Sequence, residues 1–112
     1  MHIVEEKRGE VKVVVVRGRL DALTSPVLEK RIQELLDLGE NRLALDFSEL
    51  SYISSLGLRV LIMAAKNLQK VNGKLGLAGL NEDIFDVFKM AGFTKVFSIH
   101  PTIEETVQFC AQ

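Results

Sequence analysis

The chain has 112 residues, 47% of them hydrophobic, with 14 basic and 15 acidic side chains and a net charge of −1. This length is typical of one domain, and the hydrophobic share is sufficient for one continuous core. The charges are balanced and form no clustered basic patch, which argues against a nucleic-acid or anionic-lipid surface. We therefore expect a single domain over residues 1–112 that makes no direct contact with nucleic acid.

Features that would place the chain outside the cytosol are missing from its sequence pattern. The longest apolar run, Val60–Ala65, is far shorter than the ~20 residues that span a bilayer. The N-terminus has neither the basic start nor the apolar stretch of a signal peptide, and a single cysteine, Cys110, excludes an intramolecular disulfide. The histidines, His2 and His100, lack metal-ligand spacing. We expect a cytoplasmic protein with no membrane contact, metal or cofactor.

Strand and helix patterns alternate along the chain. Residues 2–7 and 11–17 are predicted as a β-hairpin, the second strand being rich in valine. Thr24-Ser25-Pro26 provides a hydroxyl cap and a first-turn proline for a helix that Gly39 closes. The segments that follow are predicted as a strand at 42–47, a helix at 56–71, a strand at 74–78, a helix at 81–91, a strand near 96–99, and a helix opened by the capping box Thr102–Glu105.

This order of elements predicts the fold class. Repeated strand-helix-strand units require parallel strands with right-handed crossovers. The strands at 42–47 and 74–78 place large residues on one face and small or polar residues on the other. We therefore predict a single α/β domain, a mostly parallel βα superhelix with an antiparallel N-terminal strand and helices mainly on one face.

The loops that follow parallel strands meet at one edge of a sheet, where open α/β sheets usually carry their function. At this edge the loop Ser48–Ser55 carries four serines and enters a helix through Ser-Ser-Leu-Gly. Hydroxyls at a helix start serve as caps, and they also suit a phosphate, because the free N–H groups and the helix dipole favour an anion. Spacing alone does not separate these two interpretations. The predicted neighbours at this edge are Gly18–Leu23, Ser48–Ser55, Gly79-Leu80 and residues 100–102.

The stretch Asp46–Leu61 resembles the signature of the STAS family, to which the bacterial anti-sigma factor antagonists belong. Members typically read Asp-x-Ser, an aromatic residue and then Asp-Ser-Ser/Thr-Gly-Leu, with the serine after the second Asp phosphorylated. Aligned through Gly57-Leu58, that serine falls on Ser55, with Ser54 as the second choice. Gly18–Ala22 is similar to the family's Gly-x-Leu/Ile-Asp segment.

Two positions depart from the antagonist pattern. Ser54 stands where the family has the second Asp, and Leu56 stands where it has Ser/Thr. The resemblance still implies partner switching, in which the unphosphorylated antagonist binds an anti-sigma factor that is also a serine kinase, and so releases the sigma factor. Phosphorylation at Ser55 switches this binding off, and a serine phosphatase resets it. The protein is then a transcription regulator and not an enzyme.

A phosphorylation-independent STAS adaptor in a stress-signalling or transporter assembly is the alternative, which the missing Asp before Ser55 favours. Catalysis is not indicated, because no histidine or lysine is placed to activate the serine. No phosphate-binding loop is present, although nucleotide binding has been discussed for the family and is kept as a minor alternative.

The helix at 56–71 suggests a partner surface. Its residues Leu56, Val60 and Met63 lie opposite the predicted core face, with Arg59 beside them. Such an apolar stripe flanked by basic residues suits a protein partner, and contact with neighbouring helices explains it equally well. We predict a partner-binding set of Leu56, Arg59, Val60, Met63 and Asp21. The predicted core face consists of Leu58, Leu61, Ile62, Ala65 and Leu68.

Overall fold

A computed structural model describes all 112 residues, in six strands and four helices. None of the four helices combines the length and the apolar character that crossing a bilayer requires. The elements are β1 (His2–Arg8), β2 (Val11–Leu20), α1 (Ser25–Asp37), β3 (Arg42–Asp46), β4 (Leu50–Ile53), α2 (Ser55–Lys70), β5 (Lys74–Ala78), α3 (Glu82–Met90), β6 (Ser98–His100) and α4 (Ile103–Ala111).

The strands form one sheet in the order β1-β2-β3-β5-β6, with β4 paired to β2. β1 runs antiparallel to β2 and the remaining pairs are parallel, which confirms the predicted topology. β4 is an addition, because its residues 50–53 are predicted as loop. It pairs with the end of β2 after a bulge between Gly18 and Arg19.

The helices lie mainly on one face of the sheet, as predicted. α1, α2 and α3 pack there in a cluster of 19 buried residues, which includes Leu43 and Leu45 of β3. α4 alone covers the other face, where Ala44 and Cys110 belong to a second, smaller cluster. Gly76 of β5 makes this close packing possible, since a Cβ there would lie 2.6 Å from the Cγ2 of Thr106.

The face that α2 turns to the core differs from the predicted one. Val60 is buried, with 4% of its surface exposed, so its predicted place on the outward face is wrong. The reason is that α1 lies beside α2 and covers the side that carries Val60. Leu58, Ile62 and Ala65, predicted as core, are only half-buried.

Candidate functional site

The loops at the carboxyl edge of the sheet lie together, as predicted. The N–H of Gly18 donates to the carbonyl oxygen of Glu49 at 3.0 Å, and the N–H of Gly79 donates to that of His100 at 3.1 Å. A Cβ on Gly79 would lie 3.0 Å from the Cβ of Ser48, so these two loops touch. The backbone that leaves four parallel strands is therefore joined along this edge.

Ser54 connects β4 to α2 and caps the helix. Its backbone is extended, with φ −93° and ψ 172°, and its N–H donates to the carbonyl oxygen of Leu20 at 2.9 Å. Its Oγ accepts from the N–H of Gly57 at 3.2 Å. The capping interpretation is therefore correct for Ser54, which is half-buried and whose hydroxyl already accepts the capping hydrogen bond.

Gly57 lets the first turn of α2 approach the strands beneath it. A Cβ on residue 57 would lie 2.9 Å from the Cγ of Leu20 and 3.0 Å from the Cγ1 of Ile53. Any larger side chain would have to displace these buried groups. The glycine of the Ser-Ser-Leu-Gly stretch thus determines how the helix start sits on the sheet.

Ser55 is the first residue of α2 and is exposed. Its hydroxyl makes no hydrogen bond within the protein, in contrast to that of Ser54. The first turn of α2 contains no acidic residue, so no carboxylate of this turn competes for its unpaired N–H groups and the positive end of the helix dipole. This end of the helix is electrostatically suited to a phosphate on Ser55.

Asp21 holds the turn between β2 and α1. Its Oδ1 accepts from the N–H groups of Leu23 at 3.0 Å and Thr24 at 3.1 Å, and its own N–H donates to the Oγ1 of Thr24 at 2.9 Å. These hydrogen bonds, that from the Thr24 N–H first, hold the pKa of Asp21 below its usual value. The Asp21 carboxylate therefore accepts hydrogen bonds within its own turn. A contact between Asp21 and a partner protein remains a prediction.

The turn also corrects the predicted cap of α1. Thr24 is the N-cap residue, but its side chain makes no capping hydrogen bond. Its hydroxyl donates instead to the carbonyl oxygen of Arg19 at 2.7 Å. The turn is thereby tied to the end of β2 and not to the helix.

The structure brings most of the predicted partner surface together. Ser55, Arg59 and Met63 are exposed and follow one another at four-residue steps along α2, and Leu56 beside them is half-buried. Val60 contributes only to the side of the groove between α1 and α2.

Sequence reasoning missed a cation–π pair at the same edge. The Arg19 guanidinium lies 4.2 Å from the centroid of the Tyr52 ring, and its Nε lies 3.8 Å from the Oδ2 of Asp21. The pair depends on β4 lying beside β2, which the sequence pattern does not reveal.

Ser98 and His100 form a serine–histidine pair in β6, with Ser98 Oγ 2.8 Å from His100 Nε2. Neither residue makes a hydrogen bond to Ser55.

Known proteins that are similar to this chain identify its family. The family model of the STAS domain matches residues 2–106. The chain belongs to the STAS family. BtrV of Bordetella bronchiseptica, a candidate anti-sigma factor antagonist, is 33% identical over 99 residues, which are 88% of this chain and 85% of BtrV. The anti-sigma-B factor antagonist of Bacillus subtilis is 29% identical over 106 residues, 94% of this chain and 96% of its own.

Solved structures of STAS proteins share the fold. The crystal structure of an anti-sigma factor antagonist from Mycobacterium paratuberculosis superposes with a TM-score of 0.90 at 25% identity, covering 99% of this chain and 94% of the other. The Bacillus cell fate determinant SpoIIAA in its phosphorylated form superposes with a TM-score of 0.75 at 21% identity, covering 96% and 97%. At that identity the second match shows the shared fold alone.

Proposed function

We propose that this STAS protein is a cytoplasmic anti-sigma factor antagonist and not an enzyme. In this proposal its unphosphorylated form binds an anti-sigma factor with serine kinase activity and so releases the sigma factor. Phosphorylation at Ser55 ends that binding, and a serine phosphatase restores it. The names of the relatives at 33% and 29% identity support the antagonist role.

The observation that carries the proposal is the difference between two adjacent serines. Ser54 is half-buried and its Oγ accepts the capping hydrogen bond, whereas Ser55 is exposed and makes none. A kinase needs an accessible hydroxyl, and phosphorylation of Ser54 would remove a cap. The family's Asp at position 54 would cap about as well as serine does, so the substitution leaves the helix start intact.

The switch has a local electrostatic explanation. A phosphate adds about −1.5 to −2 charges at pH 7, which the N-terminus of α2 tolerates within this protein. Arg59, four residues after Ser55 on the same exposed face, is in no ion pair of the protein and lies where it can pair with the phosphate. The partner therefore meets a negative charge that it must desolvate, and loses a guanidinium that it would otherwise contact.

The test uses the anti-sigma factor kinases encoded in the same genome, purified one at a time and incubated with the protein and ATP. Intact mass should show one added phosphate, and peptide mapping should place it on Ser55. Calorimetric titration should then show tight binding of the wild type and Ser55→Ala, weaker binding of Ser55→Asp, and the weakest binding of the phosphorylated protein. A phosphate on Ser48, Ser51 or Ser54 would overturn the site.

The same titration separates the antagonist from the adaptor. A phosphorylation-independent adaptor would bind its partner equally well in all four forms. Aspartate carries one charge and lacks the third phosphate oxygen, so an intermediate affinity for Ser55→Asp is the specific expectation of the switch. Equal affinities would replace the proposal with the adaptor function.

A further inference from the structure

The outer surface of the helical layer contains a groove between α1 and α2. It has a volume of about 550 Å³ and is lined by apolar side chains of Ile32, Val60, Met63 and Ala64. A second depression of about 340 Å³ continues it towards the C-terminal ends of both helices, and Asn67 lines both parts. The groove therefore follows α1 over most of its length, a distance of roughly 17 Å at 1.5 Å per residue.

The two walls of the groove carry opposite charges. α2 has no acidic residue, and its basic residue Lys70 lines the far end of the groove. The α1 wall presents three acidic side chains, Glu29, Glu34 and Asp37, and one basic side chain, Lys30, so its net charge is negative. Only Glu34 is in an ion pair, with Arg31, and the other charged side chains of the two walls are in none. Unpaired charges of opposite sign thus flank an apolar floor.

We propose that this groove docks an amphipathic helix of the anti-sigma factor partner. A helix inserts its apolar ridge into such a groove and leaves its two flanks against the walls. The docked helix has acidic residues on the flank that meets Lys70, and basic residues on the flank that meets Glu29 and Asp37. The opposite charges of the two walls also fix the direction in which the helix lies, since a reversed helix would place like charges against each other. This inference rests on the proposed function.

The groove is a second contact, separate from the switch. Asn67 lies twelve residues after Ser55 along α2, which is about 18 Å along the helix axis. The Debye length at physiological ionic strength is ~8 Å, so a phosphate on Ser55 is screened over most of the groove. Contributions from sites that far apart usually add. Phosphorylation is therefore expected to remove the contact at the helix start and to leave the groove available.

The sharpest test fills the groove without changing charge. Asn67→Trp places a bulky ring in the groove, and Gln69→Trp places the same ring two residues away on an exposed position that does not line it. Both variants are titrated calorimetrically into the kinase that binds the wild type, after thermal melting confirms folding. Asn67→Trp should weaken binding by about tenfold or more, and Gln69→Trp by less than about twofold.

A second pair tests the charged wall, and it remains informative where Asn67→Trp does not fold. Lys70→Gln and Gln69→Glu change the net charge by the same amount, but only Lys70 lines the groove. Lys70→Gln should weaken binding about threefold in the wild type and in Ser55→Asp alike. The effect should shrink at about 0.5 M salt, because salt screens the attraction between Lys70 and the partner's acidic residues. Equal effects of Lys70→Gln and Gln69→Glu would reflect net charge alone and would overturn the docking site.

The outcomes separate the two proposals. Failure of the wild type to bind any of the kinases overturns the proposed function and the groove proposal with it. Wild-type binding that Asn67→Trp and Lys70→Gln leave unchanged overturns the groove alone and leaves the Ser55 switch standing.

Discussion

The first turn of α2 rests on β2 through Gly57 and Leu20, where a Cβ on residue 57 would lie 2.9 Å from the Cγ of Leu20. The same end of β2 accepts the N–H of Ser54 through the carbonyl oxygen of Leu20, at 2.9 Å. One residue of β2 therefore positions both the cap and the third residue of the helix. Ser55 lies between these two contacts, so β2 holds the backbone on both sides of it.

Gly57→Ala should destabilise the protein even though alanine is the better helix former. The added methyl meets Leu20 and Ile53 at 3.0 Å or less, and overpacking of this kind typically costs 1–3 kcal/mol. The gain in helix propensity of roughly 1 kcal/mol offsets part of that cost. We expect a net loss of up to about 2 kcal/mol, measured by urea denaturation. A variant as stable as the wild type would show that the contact relaxes at no cost.

Ser54→Ala and Ser55→Ala form a matched pair at adjacent positions. Only Ser54 accepts a capping hydrogen bond, from the N–H of Gly57 at 3.2 Å, and losing such a cap costs ~1 kcal/mol. Ser55→Ala changes an exposed side chain and should stay within about 0.5 kcal/mol of the wild type. Thermal melting compares the two variants directly. Equal losses of stability would contradict the separate roles of the two hydroxyls.

Met63→Asp and Val60→Asp test the corrected surface of α2. Met63 is 43% exposed and Val60 is 4% exposed. Met63→Asp should weaken partner binding and leave the fold nearly intact. Val60→Asp buries a carboxylate without a partner and should unfold much of the protein, with a loss of several kcal/mol. Melting temperatures distinguish the two, and a large fall for Met63→Asp would show that Met63 belongs to the core.

Cys110 is expected to make the free energy of unfolding fall at alkaline pH. Burial raises the pKa of its thiol to about 11, against ~8.5 for an ordinary cysteine. Below pH ~8.5 the thiol keeps its proton in both the folded and the unfolded chain, and its full contribution to the free energy of unfolding is present. Between about pH 8.5 and 11 the unfolded chain loses its proton first, so the free energy of unfolding declines with rising pH.

The measurement for Cys110 is the urea midpoint at pH 7, 8.5 and 10, in the wild type and in Cys110→Ala. The variant loses packing at every pH, because Cys110 is fully buried. Its midpoint should nevertheless fall less steeply between pH 8.5 and 10 than that of the wild type. Parallel curves would show that other groups cause the alkaline loss.

Local interactions are the part of this structure that the sequence determines by itself. The capping box at the start of α4 forms as predicted at one of its bonds, where the Oγ1 of Thr102 accepts from the N–H of Glu105 at 3.2 Å. The alternation of Leu43, Ala44 and Leu45 across β3 and the Ser-Ser-Leu-Gly start of α2 are likewise observed. Each depends on residues within a few positions of one another, so the sequence contains all the participants.

Only the tertiary structure determines that β4 forms a strand and that Val60 is buried. β4 has four residues, too few for a clear alternation, and it exists because the end of β2 offers hydrogen-bond partners to it. Val60 is buried because α1 lies beside α2. Helical periodicity places residues relative to one another around a helix, but it does not tell which side a neighbouring helix covers. That depends on how α1 and α2 pack against each other on the sheet, and residues far apart in the chain determine it.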